Sequence, residues 1–119
     1  MRDIGRRGEL TAARHLQGLG YLILATNWRA GRYEIDLVVE RGNTVAFVEV
    51  KTRSPGPQEP AEAIDWRKRR HLVRAAARWI ATRSPGALEF RFDVVSVSIL
   101  PDQTECVKYI PGAFTADDA

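Results

Sequence analysis

At 119 residues, with 18 Lys and Arg against 15 Asp and Glu for a net charge of +3, the chain has the length of one domain (1–119), enough for a core of helix layered on sheet. A single cysteine, Cys106, excludes an intrachain disulfide, and His15 and His71 are too few to build a zinc centre with it. No Gly-rich phosphate loop, nucleophile elbow, signal peptide or bilayer-length apolar run occurs, so a cytoplasmic protein is expected, with no membrane partner.

The first element is an amphipathic helix over 3–19, on which Glu9 shares the stripe of Ala12, Ala13 and Leu16 and so aims a carboxylate at the core side. Strands are expected over 21–29, 33–41 and 44–53. The last two are joined at Gly42-Asn43, a two-residue turn signal between β-branched runs. Such a turn fixes the register. Position numbers across the ladder sum to 85, so Val39 faces Ala46, Leu37 faces Val48, Asp36 faces Glu49 and Glu34 faces Lys51. Alternation assigns Ile35, Leu37, Val39, Ala46, Val48 and Val50 to one apolar face. The other face runs from Val38, Val45 and Phe47 to Asp36, Glu49, Lys51 and Arg53.

Like charges directly opposite one another destabilise a sheet, with β-carbons roughly 4.5 to 5.5 Å apart. Two carboxylates at that spacing beside an ammonium are what a hard divalent cation with oxygen ligands requires. Local pairing, Glu34 with Lys51 for instance, is the plainer alternative for the hairpin taken alone.

A loop over 54–60, with Pro55, Pro57 and Pro60 and no large apolar anchor, is expected to be poorly ordered without substrate and to close over it. A helix over 61–83 carries the apolar stripe Ile64, Leu72, Ala75, Ala76, Trp79 and Ile80, with Lys68 at an apolar position of that rhythm. Two helices each aiming one charge at the same sheet suggest a shared polar site; snorkelling at the rim is the bland alternative. Strands over 90–100 and 104–110 follow, then a tail, 111–119, expected to fray. The helix between the third and fourth strands favours a parallel pair. The order α-β-β-β-α-β-β thus predicts an α/β fold with a mixed five-stranded sheet flanked by helices, the charged end of one face left as an open cleft.

Charge is unevenly spread. Residues 65–83 hold Arg67, Lys68, Arg69, Arg70, Arg74, Arg78 and Arg83 against Asp65 alone. Arg side chains suit bidentate phosphate contacts, and Arg67, Arg69 and Arg70 are the candidate DNA-binding set, with Arg53 and Lys68 beside them. Arg78 and Arg83 read as a solvated face. Trp79 lies in the apolar stripe and reads as core, whereas Trp66, next to the basic run, is the candidate for stacking on nucleic acid.

Taken in order, Glu9, Asp36 and Glu49-Val50-Lys51 with Arg53 resemble the metal-binding core of the restriction-endonuclease-like nucleases, which include archaeal Holliday junction resolvases. Over positions 5 to 100 the chain resembles the YraN-like bacterial proteins of that superfamily. The resemblance is carried by Gly8-Glu9-Leu10, Gly20-Tyr21, Asn27, Glu34-Ile35-Asp36-Leu37, Phe47-Val48-Glu49-Val50-Lys51-Thr52-Arg53, Pro60-Ala61-Glu62-Ala63 and Arg91-Phe92-Asp93-Val94-Val95. At 55–60 the chain departs from the longer, Gly-rich stretch usual there.

The resemblance implies a restriction-endonuclease-like fold and a divalent-metal-dependent DNA endonuclease, with branched DNA the substrate class that the resolvases suggest. Asp36 and Glu49 would hold Mg²⁺ or Mn²⁺, with the Val50 carbonyl and Glu9 as further ligands, and Lys51 would serve the attacking water. A resolvase-type activity would need two active sites and hence a homodimer. The alternative is a non-catalytic nucleic-acid-binding or assembly module that retains the fold.

Overall fold

The structure is a computed structural model and describes residues 3–54, 65–83 and 89–118. In chain order it comprises α1 (Asp3–Gly18), β1 (Leu22–Ala30), β2 (Tyr33–Arg41), β3 (Thr44–Arg53), α2 (Trp66–Arg83), β4 (Glu89–Ile99) and β5 (Glu105–Phe114), with a short 3₁₀ turn over Ala116–Asp118. Five strands form one sheet in the order β1-β2-β3-β4-β5, antiparallel except for the parallel β3–β4 pair. This is the mixed, helix-flanked α/β architecture expected from the order of elements, and it agrees with a restriction-endonuclease-like fold. No helix among the described residues is long and apolar enough to cross a membrane. Residues 55–60 of the expected loop over 54–60, and the first residues, 61–64, of the expected helix over 61–83, Ile64 included, lie outside the described residues.

The β2–β3 turn has the predicted register: Arg41 pairs with Thr44, Val39 with Ala46 and Leu37 with Val48. Gly42 takes a φ of 60°, as a two-residue type II′ turn requires of its first residue. Each sheet face carries its own core. On one, α1 presses Ala12 and Leu16 onto Leu37, Val39, Ala46, Val48, Val95 and Val97; on the other, α2 presses Leu72, Ala75, Ala76 and Trp79 onto Ile35, Val38, Val45, Phe47 and Val94. Asp65 caps α2, its Oδ1 accepting from the Arg67 N–H at 2.7 Å. Trp79 is buried against Phe47 as expected, with ring centroids 5.6 Å apart.

Two expectations are corrected. Ile35 does not share a face with Leu37 but joins the α2-side core, so strict alternation fails at Asp36 between them. The last strand does not stop at 110. It runs to Phe114, which is buried against Phe92 with stacked rings 5.1 Å apart, so residues 111–114 belong to the sheet and not to a tail.

A buried acid explains that longer strand. Asp93, on interior strand β4, is wholly buried. Its carboxylate accepts from Arg91 at 2.8 and 2.9 Å, from the Tyr109 hydroxyl at 2.5 Å and from the Gly112 N–H at 2.9 Å. Opposite it the β4–β5 register slips between Phe92↔Phe114 and Val94↔Ile110, and Gly112 adopts a φ of 60° that suits glycine. Arg91 also donates to Tyr21 at 2.6 Å and to Tyr109 at 3.0 Å, tying the connection between α1 and β1 to β5. Burial first, then the bond to Asp93, holds the Tyr109 phenol above its usual range.

Removing one partner of a buried charge pair strands the other and costs about 3–5 kcal/mol. Arg91→Met should therefore lower unfolding free energy by about that amount, with Tyr109→Phe losing about 1–3 kcal/mol. Urea denaturation measures both, and a loss below about 1 kcal/mol for Arg91→Met would show that the network does not hold β5 to the sheet.

Candidate metal and phosphate site

Beyond Leu37↔Val48 the β2–β3 ladder ends, while β3 stays paired with β4 through Arg53↔Ser98 and β2 stays paired with β1 through Tyr33↔Ala30. The sheet forks, and Asp36 sits in the fork. Its Oδ2 accepts from the Val50 N–H at 2.8 Å, so a side chain takes the place that the β2 backbone would hold in a continuous ladder. The N–H and C=O of one strand residue point the same way, so the Val50 carbonyl faces the same gap. Across from Asp36, between Thr26↔Leu37 and Trp28↔Ile35, Asn27 adopts a φ of 47°. Asn tolerates that left-handed conformation better than most residues.

The expected opposition of Asp36 and Glu49 occurs between side chains, not as a pair in the ladder. The two carboxyl groups lie within hydrogen-bonding range of each other. Burial above all, then the Glu49 charge, pushes the Asp36 carboxyl up to about 8, against the opposing pull of the Val50 N–H. Glu9 adds a smaller effect of the same sign. Its helix comes this close because Gly8 packs on β3: a Cβ at Gly8 would lie 1.9 Å from Thr52 Oγ1. Glu9 lines a groove of about 260 Å³ with Arg6, Leu10, Ala13, Thr26, Asn27 and Leu37.

From the α2 side, Lys68 reaches Glu49 Oε2 at 3.2 Å, with the Glu49 side chain 16% exposed and that of Lys68 67%. The Glu49 charge holds the Lys68 ammonium above its usual range. Alternation along β3 places Lys51 and Arg53 on the same face as Glu49. Glu34 pairs with Arg29 at 2.7 Å, and the β2–β3 ladder ends before the expected Glu34–Lys51 opposition.

The oxygens of Asp36 and Glu49, with the Val50 carbonyl, make a donor set that fits Mg²⁺ or Mn²⁺. Mg²⁺ commonly takes one or two carboxylates and completes its sphere with water and phosphate. Among the described residues no group of three or more His, Cys, Asp and Glu is close enough to form a ligand cluster, which makes Glu9 an outer neighbour of the pair.

The arginines of α2 divide between two sides. Arg67, His71, Arg74 and Arg78 recur at helical spacing on the side toward Tyr33. There Arg74 donates to the Tyr33 hydroxyl at 3.3 Å, and the Arg78 guanidinium lies 5.2 Å from the ring. Arg67 and Arg70 flank Trp66, at 5.6 and 5.5 Å from its ring. Arg69 turns the other way: its Nε is buried and its guanidinium lies 5.5 Å from the Phe114 ring. It lies between α2 and β5, apart from the stripe toward Tyr33.

A model of the uncharacterised protein family UPF0102 matches residues 8–97. A UPF0102 protein of Frankia casuarinae is 45% identical over 112 residues, covering 93% of this chain and 95% of that one. One from Chlorobaculum tepidum is 40% identical over 121 residues, covering 97% and 94%. Another from Nitratidesulfovibrio vulgaris is 44% identical over 95 residues, covering 79% and 71%.

The fork makes a signed prediction for metal-free protein. The unfolded carboxyl of Asp36 ionises near its ordinary value, about 3.9, whereas the folded one keeps its proton until about 8. Between those limits the folded state binds more protons, so the Asp36 contribution to stability falls as pH rises and then levels off. Melting curves in EDTA from pH 5 to pH 8 should show Asp36→Asn gaining on wild type across that window. A variant that instead loses ground as pH rises would mean that the Asp36 charge is stabilised by the fold.

Proposed function

The chain belongs to the uncharacterised protein family UPF0102, a restriction-endonuclease-like nuclease family, and from this premise we propose that it is a divalent-metal-dependent DNA endonuclease. The observation that carries the reading is the Asp36–Glu49 carboxylate pair in the sheet fork, within reach of two lysine-bearing elements. Such a pair raises the energy of the metal-free fold and is relieved by a cation, as expected of groups kept for function.

Asp36 and Glu49 would hold Mg²⁺ or Mn²⁺, with the Val50 carbonyl as a third oxygen and Glu9 acting through water. When bound, the ion lowers the pKa of its water and draws charge from a phosphate oxygen. Lys51, as an ammonium, would orient the attacking water, whose proton passes to solvent, and would stabilise the charge that develops on the scissile phosphate. Water adds to phosphorus, the bond to the leaving oxygen breaks, and that oxygen collects a proton from solvent. Lys68 holds the Glu49 carboxylate and meets the phosphate from the α2 side. Arg53 and the stripe of Arg67, Arg74 and Arg78 position the backbone, a charge-based contact that carries no sequence information.

The basic stripe uses none of the acids, so it also suits a non-catalytic nucleic-acid-binding module. A cleavage screen with Mg²⁺ and Mn²⁺ over duplex, single-stranded, flap and four-way junction DNA separates the two. Metal-dependent cleavage is expected, lost by about 100-fold or more in Asp36→Asn and Glu49→Gln while DNA binding persists. Absence of cleavage on every substrate would establish the binding module instead.

Binding should weaken steeply with salt. Replacing Arg67 and Arg74 together by Ala should flatten the slope of log affinity against log salt by about two units, about one for each lost phosphate contact. An unchanged slope would place the DNA on another surface.

A further inference from the structure

Trp66 opens α2 less than one turn before Lys68, and 55% of its surface is exposed. It packs into neither core cluster, unlike Trp79, which is buried, and Trp28, which packs beneath α2. The indole lies among cations: Arg67 and Arg70 approach its ring, and Trp66, Arg67, Arg70, His71 and Arg74 line a shallow depression of about 160 Å³. An amphipathic helix has no folding reason to hold a large aromatic surface in water beside its arginines. A flat ring with guanidinium groups beside it is, however, a platform on which a nucleobase stacks.

Its position says which base. The stripe from Arg67 to Arg78 covers eleven residue steps, about 16 Å at about 1.5 Å each, or roughly five base-pair rises at about 3.4 Å. A duplex backbone lying on that stripe reaches Trp66 at the end nearest Lys68 and Glu49. Within an intact duplex both faces of every base are already covered, and the indole has nothing to stack on. At that point only an unpaired base offers a free face.

We propose that Trp66 stacks on an unpaired base next to the scissile phosphate. The substrate is then DNA in which a duplex arm, held along α2, gives way to single strand at the cleavage site. The placement of that phosphate rests on the nuclease reading above; the stacking contact does not.

The test is DNA binding in EDTA, where no cleavage occurs, using fluorescently labelled duplexes that are either blunt or carry a short single-stranded extension. Trp66→Ala should weaken binding to the extended duplex by about fivefold or more and to the blunt duplex by less than about twofold, and Trp66→Phe should keep most of the affinity. The extended duplex should also quench the indole emission of wild type more than the blunt one, with the difference gone in Trp66→Phe. This second measurement holds even where the Ala variant folds poorly. Equal losses on both probes, or no loss and no differential quenching, would overturn the proposal and leave Trp66 a surface residue shielded by arginines. If stacking is seen but Mg²⁺ supports no cleavage, the nuclease reading fails and this contact stands; cleavage without the stacking preference sinks this contact alone.

Discussion

The hydrogen bond from the Val50 N–H to the Asp36 carboxylate is the constraint on which the rest of the site depends. It lets β2 leave β3 without stranding a backbone donor, because the side chain accepts the bond that the separated strand no longer can. Once Asp36 is committed to that gap, Ile35 and Leu37 fall on opposite faces. The Asp36 oxygens are then fixed beside Glu49, at the boundary between the two cores. The arrangement is unfavourable as electrostatics and is maintained by its surroundings.

Those surroundings come from both layers. On the α1 side, Gly8 permits the helix to lie on Thr52, which brings Glu9 and its groove to the fork. On the α2 side, Lys68 reaches past the end of the apolar stripe to Glu49. The lysine remains largely exposed and contributes little stability by itself, but it offsets charge where a phosphate would add more. Far from the fork, the Asp93 network fastens β5 to the parallel core strand. This leaves β3 and β4 a rigid pair from which Glu49, Val50 and Lys51 project.

The hairpin register was readable because a two-residue turn leaves one pairing, and the burial of Trp79 followed from its place in an apolar stripe. The order and pairing of the strands followed likewise. The face switch at Asp36 was not readable, since alternation assumes that backbone bonds with backbone; Asn27, a residue that tolerates left-handed φ, is its one trace in the sequence. The placement of Arg69 against Phe114 was not readable either, because helical spacing cannot say which side of α2 meets β5. Pro111-Gly112 looks like a chain terminus signal, yet here it builds a bulge around a buried acid. The Asp93 network does leave a signal in the sequence: Arg91 and Asp93, two positions apart, fall on the strand face that continues through Val95, Val97 and Ile99. Opposite charges in that setting signal a buried pair.

The central claim is that Asp36 and Glu49 form a proton-bearing pair that a divalent cation relieves. Calorimetric titration of Mn²⁺ into the protein at pH 7, repeated in buffers of different ionisation enthalpy, reads ion binding and proton release together. With the Asp36 carboxyl near 8 before binding, uptake of the ion should release close to one proton, because a metal-ligating carboxylate must be deprotonated. Both binding and release should vanish in Glu49→Gln. Mn²⁺ binding without proton release, or unchanged in that variant, would contradict the account.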